Sequence, residues 1–277
     1  MKIQAIKTKV FKPKEDLLAF IENYLPGIKE KTILVVTSKI VALAEGRFVQ
    51  KNNETTKLKI IKRESRLVMP TKRVYLTIKD GQFMANSGID ESNANGWLIL
   101  LPKNSFKAAA KIRNHFKKKH KLKNFAVLIT DSRCLPLRAG ITGAALGYAG
   151  FQGLRDYRRC LDIFHRPFKY SRVNLADGLA AAAVLCMGEG KERQPLALIT
   201  EAPVRFNEKI NKKETIINPA EDIFYPLIKN LNVKKPYKKS EIGQAVFNRP
   251  GGKTRAQGWR QNHHRARMGR CRTDYLS

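Results

Sequence analysis

Apolar positions follow two rhythms along the first 232 residues. Lys2–Val10 alternates as a strand does, and 15–24 carries Leu17, Leu18, Phe20, Ile21 and Tyr24 at helical spacing. Thr32–Thr37 (TILVVT) is a continuous apolar run of the kind a buried strand shows, and 39–44 reads as helix before a stop at Gly46. Stretches 74–78 and 82–85 flank Asp80-Gly81, a two-residue hairpin signal. Residues 97–101 predict another strand, and 105–121 an amphipathic helix with a Lys/Arg face. The run 125–130 (FAVLIT) predicts a buried strand ending at Asp131. Residues 174–187 form an Ala-rich helical stretch, and 196–200 a last core strand. Strand pairs mixed with helices predict an α+β fold, mixed sheets with packed helices. No repeat is visible: Cys134, Cys160 and Cys186 are evenly spaced, but their flanks differ.

The periodic patterns stop near Lys234. Val233 to Ser277 holds 12 basic and 2 acidic residues with four helix or strand breakers (Pro236, Pro250, Gly251, Gly252). The expected organisation is therefore one domain at 1–232 and a basic, disordered tail at 233–277. With 277 residues and 43% hydrophobic content, the chain as a whole can build a real core. Lys plus Arg number 54 against 23 Asp plus Glu, a net charge of +31, so polyanions are expected partners. The four cysteines form no C-x-x-C pair, which argues against a disulfide framework and a zinc ribbon. The N-terminus lacks an apolar signal core, and the longest apolar run, near 179–187, falls far short of the ~20 residues a membrane span needs. A soluble cytoplasmic protein with no membrane partner is the expectation.

In so basic a chain the informative residues are the acids outside the lysine clusters. Asp131 with Ser132 follows an apolar strand and offers two hard oxygens suited to Mg²⁺ or Mn²⁺; on the residues alone, an Asx turn or a helix cap is the commoner explanation. Asp90-Glu91-Ser92-Asn93 is either a metal and phosphate loop or a polar turn between strands. Glu189 lies in Met187-Gly188-Glu189-Gly190, a glycine-capped helix end or a ligand loop. Asp177 reads as a packing or capping group. Ser38-Lys39 opens a helix after a strand, where backbone N–H groups and a lysine suit a phosphate. His-based metalloprotease, Walker A, nucleophile-elbow and dinucleotide fingerprints are all missing from the sequence.

Four stretches in register resemble one family: TSKIVALAEGR (37–47), TIKDGQFMANSGIDESNANG (77–96), LITDSRCLPLRAGITGAALGYAGFQGLRDYR (128–158) and DIFHRPFKYSRVNLADGLAAAAVLCMGEG (162–190). They are similar to the coenzyme F-420:γ-L-glutamyl ligase family, and resemble in particular bacterial members labelled as folate-metabolism γ-glutamate ligases. The resemblance spans about 1–205. It implies a GTP-dependent homodimeric ligase using Mg²⁺ or Mn²⁺. By that resemblance the metal ligands are Asp90, Asp131, Ser132 (often Thr in the family) and Glu189, with Asp131 and Asp90 catalytic. Nucleotide contacts fall to Lys9, Val10, Phe11 and Lys12, to Ser38 and Lys39, to Asn93, and to the segment through Met187, Gly188 and Gly190.

Three positions depart from the family pattern. Leu43 stands where many members have a nucleotide-contacting lysine, and Arg159 and His165 replace expected glycines. The chemistry fits the residue types. Phosphorylating a carboxylate makes an acyl phosphate that an amine attacks, so metal-held phosphates need carboxylates and the other anions need cationic clamps. Arg133, Arg138 and Arg155 are candidate clamps, or surface ion-pair partners. The acceptor implied is the deazaflavin coenzyme F-420 precursor, with a folate as the alternative. The phosphodiester of the deazaflavin precursor calls for a further cation, Arg155 or Arg159, unless Arg159 instead fills the space that group would occupy. A reading from another class is a basic RNA-binding protein, supported by Lys111–Lys123 and the Arg-rich tail; as part of an enzyme, that tail is expected to bind nucleic acid only non-specifically.

Overall fold

A computed structural model describes residues 1–51, 53–209 and 211–231. The expected basic tail lies outside the described residues. In chain order the elements are β1 (Lys2–Ile6), α1 (Leu17–Tyr24), β2 (Thr32–Thr37), α2 (Ser38–Ala44), β3 (Phe48–Gln50), α3 (Glu54–Glu64), β4 (Leu67–Pro70), β5 (Tyr75–Lys79), β6 (Gln82–Ala85), β7 (Trp97–Ile99), α4 (Ser105–Lys119), β8 (Phe125–Arg133), β9 (Thr142–Ala149), β10 (Leu154–Asp156), β11 (Arg172–Asn174), α5 (Leu175–Met187), β12 (Leu196–Thr200) and α6 (Tyr225–Ile228). The mixed α+β class expected from the pattern is the one observed.

The central sheet runs β1-β12-β2-β8-β9. Only β2 and β8 pair in parallel; the other neighbours are antiparallel. Both faces are covered, which explains the unbroken apolar runs of β2 and β8. Leu34, Val36, Val127 and Ile129 face α1, α2 and α4, burying Phe20, Ile40, Ile112 and Phe116 with them. Ile33, Val35, Ala126 and Leu128 face α5, against Ala176, Ala180 and Ala183. The alanines let α5 lie close: a Cβ added at Gly143 of β9 would stand 2.3 Å from the Ala180 carbonyl oxygen. Asn174 caps α5 by accepting from the Asp177 N–H at 3.1 Å, while Asp177 accepts from Ala145 N–H (2.8 Å) and Asn174 Nδ2 (2.6 Å). Asp177 thus pins the start of α5 to β9, the capping role read from the sequence.

The strand expected over Lys2–Val10 ends at Ile6, because its partner β12 begins at Leu196 opposite that residue. Beyond it the chain turns, and Thr8 N–H donates to the Arg193 carbonyl at 2.9 Å. A second correction concerns Asp131. The strand does not end there; β8 continues to Arg133, pairing Asp131 with Ala144 and Arg133 with Thr142 after an irregularity at Ile129/Thr130.

Between α2 and α4 the chain builds a smaller unit from β3 to β7. The β5–β6 hairpin turns on Asp80 (φ 51°) and Gly81 (φ 78°), as Asp-Gly predicts. Its core is Ile60, Ile61, Ile89, Leu98 and Leu100. A buried ionic cluster braces it: Glu64 accepts from Arg47 (2.7 Å) and Lys79 (2.6 Å), and Arg47 Nε donates to the Leu101 carbonyl at 3.1 Å. Burial alone would raise the Glu64 pKa, but the two cations outweigh it and hold it at about 2.

A strap after β12 closes the far side. Phe206 bridges Phe151, and Glu208 takes both Arg113 Nη atoms (3.0 and 2.8 Å) and Lys117 (2.5 Å). Part of the basic face of α4 is therefore paired within the protein. Among the described residues no helix is long and apolar enough to cross a membrane.

Candidate active site

The carboxyl ends of the parallel strands β2 and β8 point the same way, and ligand sites in open sheets form at such ends. Alternation along β8 then sends neighbours to opposite faces. Asp131 lies toward the start of α2, where Ser38 Oγ donates to its Oδ1 at 3.1 Å. Ser132 lies toward the segment after α5, where its hydroxyl bonds Glu189 Oε1. Lys39, one residue into α2, reaches the 90–93 loop: its Nζ is 2.7 Å from Asp90 Oδ2 and donates to the Ser92 carbonyl at 2.8 Å.

That loop is itself well built. Asp90 and Ile99 exchange backbone bonds at 2.9 Å, and Asp90 Oδ1 accepts from the Ser92 N–H at 2.6 Å, an Asx turn. Glu91 is held by Lys51 at 2.5 Å and by Lys57. Asn93, at φ 51°, donates from Nδ2 to the Gly190 carbonyl at 3.0 Å. Gly188 ends α5 at φ 79°, its N–H reaching Val184; a Cβ there would meet Glu192 Cδ at 2.6 Å. Four segments distant in sequence (38–39, 90–93, 131–132 and 189–190) are thus joined by four side-chain contacts.

The early loop borders this group. Thr8 is bonded to Arg193, and Lys14 N–H donates to the Leu43 carbonyl at 3.1 Å. Lys9 pairs with Glu15 at 3.0 Å, Lys12 N–H donates to Glu15 at 2.9 Å, and Val10 is exposed. Phe11 is buried edge-on against Phe20, and Met187 is buried at the last position of α5, so each offers a ligand only its backbone. Leu43 packs among apolar neighbours.

Burial pushes the Asp131 carboxyl up to about 6, aided by the Asp90 charge and opposed by Ser38 and Arg133. Such a carboxylate gains from a cation nearby. The donors Asp90, Asp131, Ser132 and Glu189 are all hard oxygens, which fits Mg²⁺ or Mn²⁺. Among the described residues no three Asp, Glu, His or Cys side chains are gathered closely enough to hold an ion; Asp90 turns to Lys39, Glu189 to Ser132 and Asp131 to Ser38.

Of the candidate clamps, Arg155 is engaged elsewhere, donating to the Pro203 carbonyl and to Tyr157 Oη at 3.3 Å. Arg159 (φ 72°) and His165 (φ 59°) both hold the left-handed backbone that a glycine adopts without strain. Sequence reading gave Ser92 no separate role, although its carbonyl and hydroxyl both receive Lys39. The Asp-x-Ser spacing of an Asx turn was the available signal.

Together these features define a mixed-sheet protein with an oxygen-rich, lysine-bearing site at the ends of two parallel strands. The chain belongs to the F420-0:Gamma-glutamyl ligase family, whose pattern it matches over residues 5–201. It is 36% identical to the coenzyme F420:L-glutamate ligase of Methanococcus maripaludis strain C7, over 71% of this chain and 86% of that protein. The protein of the same name from Methanocaldococcus jannaschii is 40% identical over 53% of this chain and 58% of its own length. That from Methanopyrus kandleri is 27% identical over 77% and 92%.

Proposed function

We propose that this protein is a GTP-dependent ligase that joins L-glutamate through an amide bond to a carboxylate-bearing coenzyme F420 precursor. The observation that carries the reading is the joining of segments 38–39, 90–93, 131–132 and 189–190, all inside the family match, into one site by side-chain contacts.

An acceptor carboxylate oxygen attacks the γ-phosphorus, GDP leaves, and the resulting acyl phosphate is attacked by the glutamate amine with loss of phosphate and a proton. Asp90, Asp131, Ser132 and Glu189 would hold Mg²⁺ or Mn²⁺, which supplies charge neutralisation at the phosphates. Lys39 would hold a phosphate oxygen at the start of α2. Ser38 orients the Asp131 carboxyl. A cytoplasmic homodimer is part of the same reading. The dimer is supported by exposed apolar side chains on the β10–β11 arm, among them Leu161, Ile163, Phe164 and Tyr170.

The test offers the deazaflavin precursor and a folate separately, with GTP, Mn²⁺ and L-glutamate, and reads the mass of the product. One added glutamyl unit on the deazaflavin precursor is the expected result. Addition to the folate alone overturns the acceptor assignment, and addition to neither overturns the ligase reading.

A further inference from the structure

We infer that Arg133 is the receptor for the α-carboxylate of the incoming L-glutamate; the inference rests on the ligase reading above. Arg133 lies two residues after Asp131 in β8, on the same face of the strand. Its Nε and Nη2 are buried and have no hydrogen-bond partner. Those two atoms form one edge of the guanidinium, the edge that grips a carboxylate with two parallel bonds. On the exposed β10–β11 arm, Arg158 uses this edge on Asp156, with Nε at 3.0 Å and Nη2 at 2.6 Å. The two most buried arginines among the described residues have it filled. Arg47 spends Nε on Leu101 and Nη2 on Glu64, and Arg113 spends Nε on Phe125 and Nη2 on Glu208. Arg133 alone of these four leaves the edge open.

The acids around it do not close it. Arg133 feels the charges of Asp131, Asp177 and Asp80, yet none of the three bonds its Nε or Nη2. Asp177 has one oxygen on Ala145 N–H and the other on Asn174, and Asp131 is bonded to Ser38. A buried guanidinium with an empty fork is a standing cost that a bound anion removes.

The same acids choose the anion. Arg133 offers one fork and shares its surroundings with the charges of Asp131, Asp177 and Asp80. A zwitterion suits them: its carboxylate takes the Arg133 fork while its ammonium group faces the neighbouring acids. An α-amino acid is such a molecule. Its amine would then lie beside Asp131, where the acyl phosphate forms.

The test compares the full-length wild type with Arg133→Met and Arg133→Lys. Steady-state KM values for L-glutamate and GTP are measured. Acyl-phosphate formation is measured separately, by trapping with hydroxylamine in place of glutamate. In Arg133→Met, KM for L-glutamate is expected to rise about 30- to 100-fold, the loss of a bidentate charged pair. GTP KM and hydroxamate yield stay at wild-type levels. Arg133→Lys, keeping charge without the fork, falls between. Melting temperature should be unchanged or higher in Arg133→Met, because no native hydrogen bond is removed. An unchanged KM for glutamate overturns the inference. So does a loss of hydroxamate in parallel with ligation, which assigns the fork to a phosphoryl group. A wild type that yields neither hydroxamate nor glutamyl product marks failure of the ligase reading, a distinct outcome.

Discussion

The ammonium of Lys39 and the carboxylate of Asp90 stand 2.7 Å apart, joining the first turn of α2 to a loop 51 residues later. The pair is half-exposed, so its own contribution to stability is small, below about 1 kcal/mol. Its value is positional. Lys39→Met is expected to leave the melting temperature within a few degrees while raising KM for GTP at least tenfold, read by steady-state kinetics and thermal denaturation.

Asp131→Asn separates charge from shape. The amide fills the same volume and can still accept from Ser38. Ligase activity should drop by three orders of magnitude or more, while the fold is retained or slightly stabilised near pH 8. The stability gain is expected because burial makes the ionised carboxyl unfavourable. Circular dichroism melts beside the mass-based ligation assay provide the check.

Two carboxyls set opposite pH trends. Asp131 is raised from 3.8 to about 6, so the folded state holds its proton more tightly than the unfolded chain. Its contribution is present below pH 3.8 and is lost as pH rises through about 6. Glu64 is lowered from 4.5 to about 2; its contribution is present above pH 4.5 and is lost as pH falls toward 2. Urea midpoints measured from pH 3 to 8 should show the acid loss in wild type and not in Glu64→Gln. That variant should be less stable by about 3–5 kcal/mol at pH 7, because Arg47 and Lys79 are left buried without their partner.

Gly143→Ala tests how closely α5 rides on β9. The added methyl would meet Ala180 oxygen at 2.3 Å and Val184 carbons at 2.7 Å. A loss of about 1–3 kcal/mol is expected, with reduced activity because the displaced helix leads directly into Glu189. By contrast, Arg159→Gly should cost nothing or gain up to about 1 kcal/mol, since φ is already 72° there.

The sequence disclosed the elements whose burial is uniform. TILVVT and FAVLIT are covered on both sides and read plainly as strands, and the Asp80-Gly81 turn named its own geometry. Strand β9 (TGAALGYA) escaped notice because its glycines and alanines have poor strand propensity. They are there for a tertiary reason: a Cβ at Gly147 would stand 2.5 Å from the backbone of α4 at Phe106. Helix α3 escaped because Leu58, Ile60 and Ile61 are its only apolar residues; Asn53, bonded to the Thr56 N–H, was the cap signal to weigh. The polar run Asp131-Ser132-Arg133 looked like a loop, yet its backbone stays in the ladder with β9. The acids of the site stood out individually; their partners did not, because pattern along the chain carries no record of what lies across from it.

The four ties of the site span 93, 53, 57 and 97 positions of chain. In the order of synthesis, Ser38 waits for Asp131, and Ser132 waits for Glu189. At about 5–20 residues per second the last of these waits lasts several seconds. A ribosome-bound fragment that stops before α5 owns the parallel strands and the lysine but has no complete ring of donors. Until Glu189 and Gly190 are made, Ser132 and Asn93 lack the partners that close the site.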